Sequence, residues 1–174
     1  GSLQKLIRCG HAEEDGDEMG AYEPYMMDWH NRAILDLGSN SLRMLVIRVN
    51  SDLSFSEMTH LKQMVRLGEG AFRTGLLGPE PMERTIAALK EFARRCRDFS
   101  VSGHTAYATA AVRDARNGEE FVSTIRRETG YDFRIIGGEE EARLIGLGVA
   151  SELPSSHQRR LVVDVGGGST ELAV

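Results

Sequence analysis

Residues 161–174, LVVDVGGGSTELAV, carry an aspartate out of a short apolar run and into three consecutive glycines. Such a turn has almost no side chains to hold a ligand off its backbone, and its exposed N–H groups form a concavity that attracts anions. Ser169, Thr170 and Glu171 then add two hydroxyls and a second carboxylate before apolar residues resume at Leu172. Strand, glycine turn and strand together have the shape of a phosphate cradle, with a flanking carboxylate available to hold a cation against the phosphate.

The same phrase occurs once more, in residues 33–47, AILDLGSNSLRMLVI. Without a gap, Asp36 falls on Asp164, Gly38 on Gly166, Ser41 on Ser169, and Met44 to Val46 on Leu172 to Val174. One acid-glycine pair is an ordinary turn former. Two copies, each led in by a strand-like run and followed by Ser and another apolar run, read as a duplicated phosphate-binding hairpin.

Length and charge set bounds on this reading. A chain of 174 residues is long enough for one well-cored domain of about 100–200 residues. A net charge of −5 disfavours a general nucleic-acid or anionic-membrane surface, so neither is expected as a partner. Cys9 and Cys96 are too few and too far apart for a disulfide framework or a zinc site. No run reaches the ~18 apolar residues of a membrane span, no signal peptide is evident, and a reducing, cytoplasmic setting is expected. The chain opens Gly-Ser and stops at Val174 within an apolar strand, which reads as part of something longer.

Residues 1–31 differ in composition from the rest and are expected to be a disordered acidic leader: seven acids and no Lys or Arg lie between Glu13 and Asp28. From Arg32 to Val174 the pattern is that of a folded α/β domain. AILDLG enters the first cradle, LRMLVIRV leaves it as a covered strand, and a third strand is predicted near Glu57 to Leu67. After punctuation at Gly75 to Pro81, the apolar positions Met82, Ile86, Leu89, Ala93 and Cys96 mark one face of a helix. HTAYATAAV reads as a strand running into Arg113; a helix from Glu119 to about Thr129 is stopped by Gly130. YDFRII is the next strand, a third helix runs from Glu139 to about Leu153, and Pro154 to Arg160 is a polar loop. This alternation predicts a mixed sheet with flanking helices.

The third helix opens GGEEEARLIGLGV, and its acids gain about 0.3–1 kcal/mol each from the positive end of the helix dipole. Successive side chains project about 100° apart, so one carboxylate must look toward the sheet and its glycine turns, where it is a candidate general base for water. Arg113, among the small residues of ATAAVRDA, can clamp a phosphate oxygen or pair with Asp114 or Glu119. Ser39, Asn40 and Ser41 can donate hydrogen bonds to the same phosphate chain. The five histidines lack metal-ligand spacing, and no GxxxxGK[ST] loop is present. Cradles, carboxylates for a divalent cation, a base and an arginine together satisfy phosphoryl transfer to water.

The blocks DLGSNS, VRLGEG, ATAAVRDARN, GGEEEARLIGLGV and VVDVGGGSTEL resemble, in order and spacing, those of the exopolyphosphatase/guanosine pentaphosphate phosphohydrolase family. The resemblance covers residues 32–174 and implies a ribonuclease-H-like lobe of the actin-like ATPase superfamily, truncated just inside its second phosphate motif. It implies Glu141 as catalytic base and Arg113 as phosphate-binding arginine, with Asp164 and Glu171 associated with magnesium. Phosphate contacts are implied for Asp36, Gly38, Ser39, Asn40 and Ser41 and for Gly166, Gly167, Gly168, Ser169 and Thr170. The implied activity is magnesium-assisted release of terminal phosphate from polyphosphate; guanosine pentaphosphate is the alternative substrate. A homodimer is allowed for a full-length protein, and the piece alone is expected to hydrolyse little. A sugar or acetate kinase of the same superfamily lacks a visible acceptor motif here. A non-catalytic polyphosphate or nucleotide sensor would need the cradles but not Glu141.

Overall fold

The computed structural model describes residues 29–153 and 160–174. The acidic leader up to Asp28, and the loop at 154–159, lie outside the described residues. Five strands form one sheet in the order β3-β2-β1-β4-β5: β1 Trp29–Leu37, β2 Ser41–Asn50, β3 Phe55–Met64, β4 Val101–Ala108 and β5 Phe133–Ile135. The first three are antiparallel neighbours joined by short turns, whereas β1, β4 and β5 run parallel and need helical crossovers. Those crossovers are α2, Pro79–Asp98, and α4, Gly118–Thr129. Pro79 at the start of α2 fits the first helical turn, where its missing N–H costs nothing, and Gly130 at φ 78° closes α4 in a conformation that favours glycine.

Strand alternation sorts the side chains of β1 and β2 between two faces. Ala33, Leu35 and Leu37 join Leu42, Met44 and Val46 beneath α2 and α4, against Leu89, Phe92, Phe121 and Ile125. Each large side chain so buried contributes about 1.5–3 kcal/mol. The opposite face carries Ile34, Leu45, Ile47 and Val49, then the polar row Asp36, Arg43 and Lys62 across β1, β2 and β3. That row is the floor of the site.

Helix α5, Gly138–Glu152, leads to β6 Val162–Val165 and β7 Thr170–Ala173, which form a two-stranded sheet of their own. Gly146 lets α5 approach β7 closely: a Cβ there would lie 3.1 Å from that of Ala173. Among the described residues, no helix is long and apolar enough to cross a membrane.

Several boundaries differ from the sequence reading. Strand β1 begins at Trp29, so residues 29–31 belong to it rather than to the leader, and β3 ends at Met64 rather than Leu67. A four-residue helix α1, Ala71–Thr74, precedes the glycine-proline punctuation; it is too short to show periodicity in the sequence. Strand β4 stops at Ala108, and Ala110–Arg113 form a short helix α3, so Arg113 ends a helix and not a strand. The physical reason lies in ATAAVR itself, since its three alanines favour helix over strand.

Candidate active site

The two glycine turns close in the same way. Gly38 N–H donates to Ser41 O at 3.1 Å, and Gly166 N–H donates to Ser169 O at 2.9 Å. Both hairpins also share a register, pairing Asp36 with Arg43 and Asp164 with Glu171. The first turn is braced from behind, where Arg66 N–H and Gly68 N–H each donate at 2.8 Å, to Asn40 O and Ser39 O. Arg66 adopts φ 50° to do so, a left-handed conformation uncommon outside glycine.

The turns face one another across a cavity of about 330 Å³. Asp36, Gly38, Ser39, Asn40 and Ser41 line it from the first hairpin; Asp164, Gly166, Gly167, Gly168, Ser169 and Glu171 line it from the second, and Glu141 from α5. The approach is close enough to require glycine. A Cβ on Gly167 would sit 2.3 Å from Asn40 Nδ2, and one on Gly168 would sit 2.6 Å from Ser39 Oγ. Of the residues singled out in the sequence, Thr170 and Arg113 do not line this cavity.

The first turn of α5 sends its three acids in different directions, as the helical repeat demands. Glu139 is exposed. Glu140 turns outward to Arg143, at 2.7 and 3.0 Å, and to Arg134, and the Arg143 hydrogen bond holds its carboxyl below the usual range. Glu141 turns inward, its Oε2 accepting from Arg113 Nη1 at 3.1 Å. Burial pushes the Glu141 carboxyl up, Glu171 and Asp36 add to the rise, and Arg113 opposes it. Arg113 also donates to Ile136 O and Asp114 Oδ1. Burial alone would make it easier to deprotonate, but Glu141 and Asp114 hold its proton more firmly than usual.

Asp36 and Glu171 stand apart from these pairs. Among the described residues, neither side-chain carboxylate forms a hydrogen bond or an ion pair, although Glu171 is only 7% exposed. Burial pushes the Asp36 carboxyl up to about 6; Arg43 opposes this and Asp164 reinforces it. Glu171 faces Asp164 across the hairpin, where like charges repel. A hard divalent cation would offset that repulsion, and the donors here are all oxygen, the type magnesium takes. No group of three His, Cys, Asp or Glu among the described residues can hold a metal ion. The set fits magnesium in its usual setting, with one or two carboxylates completed by phosphate oxygens and water.

Sequence reading missed Arg43, Lys62, Tyr107 and Thr109, which also line the cavity. Arg43 had a signal: it occupies in the first hairpin the place that Glu171 holds in the second. Lys62 had none, since only the pairing of β2 with β3 brings it opposite Arg43. Thr109 occupies the N-cap position of α3 without a side-chain cap hydrogen bond, and Tyr107, largely buried at the end of β4, lines the cavity.

The model of the Ppx/GppA phosphatase family matches residues 45–174. An exopolyphosphatase-like protein of known structure is 37% identical, with a TM-score of 0.75, over 83% of this chain and 44% of its own. A Ppx/GppA family member from Aquifex aeolicus is 35% identical, with a TM-score of 0.70, over 83% of this chain and 46% of its own. An exopolyphosphatase from Cytophaga hutchinsonii is 30% identical, with a TM-score of 0.78, over 82% and 46%. The chain thus spans less than half the length of these relatives. Its five-stranded mixed sheet with flanking helices is their actin-like ATPase type of lobe. With the paired turns in the same chain order and the family match running through both the inward-facing acid of α5 and the second turn, the chain belongs to the Ppx/GppA phosphatase family.

Proposed function

We propose that the protein removes the terminal phosphate of inorganic polyphosphate by attack of water, with Glu141 as general base. One observation carries this reading: both glycine turns and Glu141 line a single cavity. Backbone N–H groups of the turns, with the hydroxyls of Ser39, Ser41 and Ser169, hold the phosphate oxygens. Asp164 and Glu171 are the residues that would hold magnesium. When bound, the metal stabilises negative charge on the transferred phosphate. Glu141 takes the proton of the attacking water; burial and the neighbouring acids raise its basicity toward the range useful at neutral pH. Arg113, which stands behind Glu141 and outside the cavity lining, orients the Glu141 carboxylate through its guanidinium.

The relatives named as exopolyphosphatases support the substrate class. The test is orthophosphate release from magnesium polyphosphate and from guanosine pentaphosphate. Glu141→Gln is expected to lower turnover by about 100-fold or more while leaving ligand affinity within about threefold. Unchanged turnover in that variant would remove Glu141 from its role. Release from guanosine pentaphosphate alone would replace the substrate but keep the site.

A further inference from the structure

Phe72 lies outside the hydrophobic core, half exposed on the short helix α1. Its ring nonetheless packs tightly at two glycines. A Cβ on Gly68 would lie 2.9 Å from Phe72 Cε2, and a Cβ on Gly168 would lie 2.1 Å from Phe72 Cζ. The ring therefore fills the space between the segment that braces the first turn and the backbone of the second.

That brace is stiff. Gly68 N–H donates to Ser39 O, Ala71 N–H donates to Gly68 O at 3.1 Å, and Gly75 N–H closes α1 onto Ala71 O at 2.7 Å. Phe72 consequently moves with the first turn. The second turn has no such anchorage, because β6 and β7 are not hydrogen-bonded into the main sheet. Its position relative to the first turn is set by α5 at one end of the hairpin and, at the other, by Asn40 against Gly167 and by Ser39 and Phe72 against Gly168. Of these, Phe72 is the large rigid group, and it does not line the cavity.

We propose that Phe72 is a positioning residue whose ring, seated on Gly168, fixes the separation of the two glycine turns and so the fit of a phosphate chain that must touch both. This rests on the reading that one ligand bridges the turns. It explains why an exposed aromatic stands beside a glycine where any side chain would collide.

The experiment is titration calorimetry of the chain with magnesium tripolyphosphate and with orthophosphate, for wild type, Phe72→Ala and Phe72→Leu, beside urea unfolding of each. Phe72→Ala is expected to weaken tripolyphosphate binding by about fivefold to twentyfold, since a small misplacement of converging groups is costly. Orthophosphate, small enough for one turn to hold, is expected to change less than about twofold; Phe72→Leu is expected to recover tripolyphosphate binding to within about threefold. The urea midpoint should stay at the wild-type value, because the ring is outside the core. Equal losses for both ligands, a fall in the urea midpoint that tracks the loss of binding, or unchanged tripolyphosphate binding in Phe72→Ala would each overturn the proposal. If wild type itself fails to bind tripolyphosphate, the bridged-ligand reading falls and takes this inference with it; wild-type binding with an indifferent Phe72→Ala overturns this inference alone.

Discussion

Replacing Asp36 by Asn should make the protein more stable at neutral pH. The carboxyl of Asp36 is pushed from 3.8 up to about 6, first by burial, with Asp164 adding and Arg43 opposing. At about 1.4 kcal/mol per pH unit, that displacement means ionised Asp36 costs the fold about 3 kcal/mol. The sign follows from linkage: the folded state holds the proton more tightly than the unfolded chain, so stability is lost as pH rises from 3.8 through about 6. Asn has nearly the shape of the acid and never ionises. Its advantage over Asp should therefore be under about 1 kcal/mol at pH 4 and reach about 3 kcal/mol at pH 7.5. Urea unfolding of wild type and Asp36→Asn across that range measures it directly. A stability difference independent of pH, or a variant weaker than wild type at pH 7.5, would refute the assignment of a costly carboxylate at this position.

Arg43 and Lys62 face each other across β2 and β3 on the cavity floor, and like charges so paired cost about 0.2–1 kcal/mol. Lys62→Glu should remove that repulsion, raising stability by a similar amount, yet weaken tripolyphosphate binding about fivefold in a salt-dependent manner by calorimetry. A variant with unchanged affinity would take Lys62 out of the site. At Gly118, a Cβ would lie 2.0 Å from Val112 O, a backbone atom held by the turn between α3 and α4. Gly118→Ala should therefore cost about 1–3 kcal/mol in urea unfolding, and a variant as stable as wild type would contradict this packing.

The duplicated hairpin was legible because its information is local. The order Asp, Gly and Ser after an apolar run specifies strand, turn and return without reference to the rest of the chain, and the structure gives both copies the same closing hydrogen bond and the same register. The inward acid of α5 was legible as one of three, and the resemblance selected Glu141, which is the one that lines the cavity. What escaped depends on contacts distant in sequence. Arg113 was read as either open to an anion or paired with Asp114 or Glu119; it does pair with Asp114, and what the sequence hid is its engagement by Ile136 and Glu141, which come from other segments. The separate sheet of β6 and β7 was also hidden, because an apolar alternation does not say which edge, if any, a strand joins. Leu161, Val163, Val165, Leu172 and Val174 keep that pattern while facing outward. Phe72 carries no mark in the sequence, and only the fold sets it against Gly168.

The most direct measurement is a crystal structure of the chain with magnesium and imidotriphosphate, a phosphate chain that water cannot cleave at its bridging nitrogens. The account predicts one ligand whose oxygens accept hydrogen bonds from backbone N–H groups of both residues 38–41 and residues 166–170, with its terminal phosphorus nearest Glu141. A ligand held by one turn alone, or seated elsewhere with the Glu141 carboxylate facing away from it, would contradict the account.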